Sequence, residues 1–176
     1  MFMGNRNNRW KSLFLFCLGL ALGATLCMKW LETGFEYSGG RFGIVGLEAS
    51  YDRMQIQAVL GGLSPLVREA LKNHLYFDFA FMAGVYPGIA ALLMMAGDRI
   101  SSPGWRKILL VLAALQTLAW TCDVLENRYL LNWVNGERVP ADLSGYHLVV
   151  YLKWGLALTG LLVALLLLLR RKKKVA

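Results

Sequence analysis

Asp78, Asp123, Glu126 and Lys153 are the residues of this chain whose types and surroundings suggest chemistry, because each falls in or at the end of a long apolar stretch. At 1.5 Å of helix per residue, Asp123 lies about 24 Å beyond Lys107 and Lys153 lies about 26 Å before Arg170, which puts the two at one depth. Gln116, Trp120, Asp123 and Asn127 recur at i, i+4, i+7 and i+11, and Glu126 borders that stripe. Tyr146, Val150, Lys153 and Ala157 share a second face, and Asp78, Met82 and Val85 a third. A charge turned to hydrocarbon costs about 2.5–3.5 kcal/mol at mid-bilayer. The three faces are therefore expected to turn inward and meet, with Lys153 pairing to Asp123 or Asp78 and at least one carboxylate left to hydrogen bonds or water. Asp78, Gln116, Trp120, Asp123, Glu126, Asn127 and Lys153 form the candidate ligand-binding set.

Several chemistries fit such a set unequally. As a structural clasp, Lys153 would bridge two acids and fix helix register. As an acid–base site, Asp78, Asp123 and Glu126 would be the catalytic candidates, but a lysine beside the pair favours keeping both acids charged and opposes proton sharing. Metal hydrolysis has little support: His74 and His147 are the only histidines and belong to no ligand array. An all-carboxylate cation site would compete with Lys153. No serine-nucleophile motif, phosphate loop or cofactor motif is present. A transport pathway would need polar residues through the full thickness, whereas the third apolar stretch runs LLVLAAL below Gln116 and the fourth is nearly pure leucine.

The elements that must position these residues follow from composition. Of 176 residues 57% are hydrophobic and 17% charged, against about 25% charged in soluble domains, and mean hydropathy is +0.47. Apolar stretches at about 12–30, 75–97, 108–126 and 148–169 reach or approach the roughly 20 residues that a hydrocarbon core of about 30 Å requires. The expected fold class is an all-α integral membrane protein, four transmembrane helices in a bundle with a short-helix cap in the first outer loop. The basic residues flank these stretches. Arg6, Arg9 and Lys11, then Arg99, Arg106 and Lys107, then Arg170 to Lys174 make 11 basic residues with only Asp98 among them, and the remainder carries a net charge of −2. The positive-inside rule then puts both termini and the middle loop in the cytoplasm, with 31–74 and 127–147 outside. The net charge of +8 is thus topological, and nucleic acid is excluded as a partner. The first stretch lacks a cleavage site and reads as an uncleaved helix rather than a signal peptide.

Within the outer loop, 32–46 is rich in glycine and reads as irregular or extended. A helix is expected over about 47–60, with Leu47, Tyr51, Met54 and Ala58 on one face and Gly61-Gly62 as its end. Ser64-Pro65 reads as an N-cap followed by proline at the first helical position, and that helix should run unbroken into the second span. Gly19 with Gly23, and Gly84 with Gly88, offer faces for close helix approach, and Pro87 should kink the second span. Trp30, Tyr129, Trp133 and Tyr146 fall where an outer aromatic belt is expected, and Trp10 and Trp105 at the inner boundary. Cys17, Cys27 and Cys122 lie inside spans and read as buried thiols, a Cys27–Cys122 bridge being the alternative.

The motifs YFDFxFMxxVYPG at the second span, LQTLAWTCDVLEN at the third and Lys153-Trp154 at the fourth resemble a loose group of small bacterial four-helix membrane proteins. Those proteins carry L-D-F-x-F, D-x-x-E-N and K-[FW] patterns. The resemblance covers about 47–160 and implies an architecture, a bacterial inner-membrane location and a residue pattern, without an activity. Bacterial lipoprotein signal peptidase is similar in outline, with four spans, an outer cap and two catalytic aspartates. Its acids sit in the third and fourth spans beside asparagines, and here the fourth offers Lys153.

The expected function is binding of a lipid or other amphiphile, or of a partner membrane protein, in an outward-opening pocket that Tyr76, Phe77, Phe79, Phe81, Trp120 and Trp154 could line. Membrane lipids, a partner membrane protein or a second copy of the chain are the expected partners. The alternative is a membrane-embedded enzyme, aspartyl-peptidase-like or lipid-modifying, acting at the outer leaflet.

Overall fold

The computed structural model describes residues 3–169, with side chains from position 8 onward except at position 50. The basic tail Arg170 to Lys174, used above for orientation, lies outside the described residues, as does the Arg6 side chain. The chain is mostly helical: α1 (Met3–Glu32), α2 (Arg53–Gly61), α3 (Pro65–Arg99), α4 (Pro103–Val134) and α5 (Ser144–Leu169). Between α1 and α2 lie a hairpin of two short antiparallel strands, β1 (Glu36–Tyr37) and β2 (Gly40–Arg41), and a single π-helical turn, Gly46–Ser50. Among the described residues α1, α3, α4 and α5 are long and apolar enough to cross a membrane.

Local sequence sets the boundaries. Ser64 accepts a bond from the Val67 amide, and Pro65 opens α3 at its first turn, where its missing N–H costs nothing. From there α3 runs 35 residues to Arg99 with Pro87 inside it, so the second apolar stretch and its outer extension are one element, as expected. The helix expected over 47–60 is divided. Asp52 caps α2, accepting from the Gln55 amide while the Gln55 side chain accepts from the Asp52 amide, and this reciprocal capping box interrupts the helix after the π-turn. The buried face also differs from the expected one. Ile56, Val59 and Leu60 point inward, whereas Met54 is 77% exposed and Ala58 is exposed.

The cap is more than a loop resting on helices. Its core joins Phe35, Leu47 and Ile56 to Leu71 and Leu75 of α3, Trp133 of α4, Tyr146 and Val150 of α5, and Val139 and Leu143 of the second connecting loop. Arg68 ties this end together by donating 2.6 Å to the Val134 carbonyl and 2.8 Å to the Leu60 carbonyl. One guanidinium thereby satisfies carbonyls at the C-terminal ends of two helices, where a cation is favoured. Trp133 and Tyr146, expected in an aromatic belt, are core residues instead, with rings 4.9 Å apart. Trp30, Tyr129 and Trp105 remain exposed, and Trp10 is half-buried.

Packing among the long helices is uneven: α3 is central, touching α1, α4 and α5, and α4 also packs on α5. The α1–α3 contact depends on Gly84. A Cβ there would lie 2.7 Å from the Ala21 amide nitrogen and 2.7 Å from the Cys17 carbonyl oxygen, and one at Gly88 would lie 3.3 Å from Cys17 Cβ. Gly19 and Gly23, expected to form a second close-approach face, look onto open space. All three cysteines are free, Cys27 being only partly buried. Gly84→Ala should lower the detergent melting temperature, by a destabilisation of about 1–3 kcal/mol, because neither backbone can move aside. Gly23→Ala should be neutral or stabilising. Equal melting shifts for the two variants in a thermal scan would contradict this account of α1 docking.

Candidate functional site

Helical register on α4 and α5 brings Asp123, Glu126 and Lys153 to one interior position beneath the cap, where Glu48 of the π-turn joins them. Lys153 Nζ of α5 lies 2.7 Å from Asp123 Oδ1 and 2.7 Å from Glu126 Oε2, both on α4. It lies 3.7 Å from Glu48 Oε2 in the π-turn. The side chains of all four residues are at least nine-tenths shielded, or nearly so, with Glu126 at 0% and Glu48 at 11% exposure. Asp123 is doubly held, since the Tyr86 hydroxyl of α3 donates 2.7 Å to its Oδ2. Glu126 is less well satisfied. Neither of its oxygens has a partner in hydrogen-bond alignment, so its contact with Lys153 is an ion pair only.

Asp78 stands apart from this knot. Of the two partners expected for Lys153, the lysine takes Asp123. Among the described residues Asp78 makes no ion pair, and its Oδ2 accepts 2.9 Å from the Asn127 amide. Asn127 also donates to the Leu75 carbonyl at 3.2 Å, so it locks α4 to α3.

Gln116, from the same expected stripe, lies elsewhere. Its Nε2 donates 3.2 Å to the Leu112 and Leu156 carbonyls, bridging α4 to α5. Gly160 makes the room, because a Cβ there would lie 2.5 Å from that nitrogen. Trp120 packs beside Met82, Tyr86 and Ala119.

A cavity of about 240 Å³ opens beside the knot. Its charged part comprises Glu48, Asp78, Asp123 and Lys153, with His74 and Tyr86 adjoining. Its apolar part includes Met28 of α1, Ile44 and Val45 of the cap, Phe81 and Val85 of α3, and Trp154 and Ala157 of α5. Thus α1 and α5, which do not pack substantially on each other, form opposite walls, α3 the floor and the cap the roof. Of the six aromatics expected to line a pocket, Phe81 and Trp154 do so. Phe79 and Trp120 pack between helices, and Tyr76 and Phe77 are exposed. Gln116, Trp120, Glu126 and Asn127 support the site from behind its wall.

Three participants were not among the expected site residues. Tyr86 follows Asp78 and Met82 at i+8 and so continues their face, and His74 precedes Asp78 by one turn; both were readable from helical spacing. Glu48 was not, because only the tertiary fold carries the π-turn down onto α5. Tyr146 fastens that turn by donating 3.1 Å to the Leu47 carbonyl. Burial pushes the Glu48 carboxyl above its ordinary value of 4.5. Lys153 opposes that rise, and Asp123 and Glu32 add to it. Among the described residues no three His, Cys, Asp or Glu side chains converge as metal ligands. No protein-family model, curated protein or solved structure matches the chain, so the likeness of 76–88, 115–127 and 153–154 to small bacterial membrane proteins rests on those residues alone.

Two predictions arise from this geometry. Lys153→Met leaves Asp123 and Glu126 buried without their cation and should destabilise the chain by about 3–5 kcal/mol, read as an earlier thermal transition in detergent. Adding Glu126→Gln should recover part of that loss. The Glu48 contribution has a definite sign. Below about pH 4.5 the carboxyl is protonated whether folded or unfolded, and as pH rises the unfolded form ionises first, so stability is lost through the raised folded value. Glu48→Gln should therefore flatten the fall in melting temperature as pH rises above about 4.5; parallel pH profiles for wild type and variant would remove Glu48 from the explanation.

Proposed function

We propose that the chain is a multi-pass protein of a bacterial inner membrane, a four-helix bundle with both termini cytoplasmic, which binds an amphiphile at the outer leaflet. The insertion reading is supported by exposed apolar side chains along every long helix, among them Phe16, Leu22 and Leu26 on α1 and Leu162, Leu166 and Leu169 on α5. So large an apolar surface is foreign to a soluble monomer. Its orientation is supported by the basic flanks, which leave the cap and the cavity on the outer side.

The observation that carries the binding reading is the two-part wall of the cavity. One part is apolar and lies between α1 and α5, and the other carries Glu48, Asp78, Asp123 and Lys153. Such a wall suits a polar headgroup with the first carbons of a chain, the tail leaving between helices that do not close on each other. The volume is suited to a headgroup and not to an entire two-chain lipid. A partner membrane helix is the other candidate occupant of the α1–α5 gap.

The aspartyl-peptidase alternative gains nothing from the arrangement. A shared-proton dyad needs two carboxyls in contact, whereas Asp123 spends both oxygens on Lys153 and Tyr86 and Asp78 is held by Asn127.

The test is native mass spectrometry of protein extracted with minimal delipidation. Wild type should carry one defined amphiphile per chain. Val45→Phe, a substitution at a 56% exposed roof position on the cavity, should lose that mass without a change in melting temperature. Wild type that flies bare, or a variant that keeps the same adduct, would refute the binding reading.

A further inference from the structure

We infer that the headgroup taken by this cavity carries an ammonium, which docks on Asp78. The inference rests on the amphiphile-binding reading and adds the charge of the ligand. Four carboxylates, Glu48, Asp78, Asp123 and Glu126, meet one lysine in the interior, so the site holds more acid than base. Lys153 cannot supply the difference: its Nζ already lies 2.7 Å from Asp123, 2.7 Å from Glu126 and 3.7 Å from Glu48. Asp78 is the carboxylate left over. It lines the cavity, and with Oδ2 bonded to Asn127 its Oδ1 has no donor among the described residues.

A second observation points to the same place. His74, one helical turn before Asp78, is 4% exposed, lines the same cavity, and has an Nδ1 with no hydrogen-bond partner. A buried ring nitrogen in that state costs free energy until a hydrogen-bond partner reaches it, and as the unprotonated nitrogen of a neutral imidazole it would take a donor. An ammonium has three donors and no acceptor, which matches an unspent carboxylate oxygen on a wall that also carries an imidazole. Phe81 and Trp154 supply aromatic wall, and aromatic faces attract cations; Lys153 already sits 5.4 Å over Trp154.

An anionic headgroup meets the opposite situation. It would have to enter among Glu48, Asp78 and Asp123 with a lysine already shared three ways. Lys29, the other cation on the wall, is two-thirds exposed and paired with Glu32. Among the described residues no three His, Cys, Asp or Glu side chains converge there to hold a metal ion.

The ammonium could belong to an amphiphile or to a free amine, and the experiment separates these sources. Full-length protein in a non-ionic detergent is titrated with dodecylamine, dodecanoic acid and ethanolamine, and binding is counted by native mass spectrometry. Dodecylamine should bind one per chain at least about tenfold more tightly than dodecanoic acid or ethanolamine. Asp78→Asn should weaken dodecylamine about tenfold and leave dodecanoic acid unchanged. Trp154→Leu, at a half-exposed position, should weaken dodecylamine several-fold and serves if Asp78→Asn does not fold. Dodecanoic acid bound as tightly as dodecylamine, and displaced by Val45→Phe, would overturn the ammonium inference while the amphiphile reading survives. Ethanolamine bound as tightly as dodecylamine would make this a free-amine site and overturn the amphiphile reading. Binding of none of the three would overturn both.

Discussion

Lys153 is an ammonium on a helix that is otherwise almost entirely apolar, and its neutralisation constrains much of the molecule. An isolated buried ammonium costs several kcal/mol, and attraction to buried acids offsets that cost only with close geometry on every side. Two acids come from successive turns of α4 and one from the cap. The α4–α5 register is therefore constrained: moving either helix by one turn would take at least one of the two α4 acids out of reach of the lysine. Gln116, bonded to the Leu156 carbonyl over Gly160, enforces the same register farther along the two helices without any charge. Asn127 and Tyr86 extend it to α3 by binding Asp78 and Asp123.

The same lysine couples the cap to the helices beneath it. Glu48 reaches Lys153 because the π-turn is pinned between Tyr146, which binds the Leu47 carbonyl, and an apolar core shared with α3, α4 and α5. Arg68 closes the other side through the carbonyl ends of α2 and α4. A cap held by one apolar core and by bonds at its edges can place a carboxylate accurately, which a loop lying on a surface could not. Its ion pair to the interior is a long one, the 3.7 Å approach of Glu48 to Lys153.

How much of this could be read from sequence depended on whether the information was periodic or tertiary. The four long helices, the Ser64-Pro65 start of α3 and the inward faces of Asp78, Asp123 and Lys153 are matters of composition, capping and spacing within one element, and all were legible. The split of 47–60 was missed because Asp52 and Gln55 form a capping box inside a stretch whose apolar spacing still reads as one helix. The buried face consequently shifted from Met54 and Ala58 to Ile56, Val59 and Leu60. The glycine pairs divided for a reason that single-helix spacing cannot hold. Gly84 and Gly88 meet α1, whereas Gly19 and Gly23 on α1 face away from α3. Glu48 was invisible for the same reason, since a residue in a loop acquires a partner only from the path of the folded chain.

That division also explains where the cavity lies. Because α1 docks on α3 through the hollow left by Gly84 and Gly88, it packs on α3 and does not close against α5. The gap between α1 and α5 is thus a consequence of glycine placement on α3, and the lysine on α5 is a consequence of pairing with α4. The charged knot and the open wall meet on α5, whose Lys153 and Trp154 both line the cavity, and on α3, whose His74, Asp78, Phe81 and Tyr86 are spaced to face the gap over three turns. The two acids of α4 pair with Lys153, and one of them, Asp123, also lines the cavity. Asp78 keeps one oxygen without a donor among the described residues, because on α3 it faces the gap and Asn127 alone reaches it.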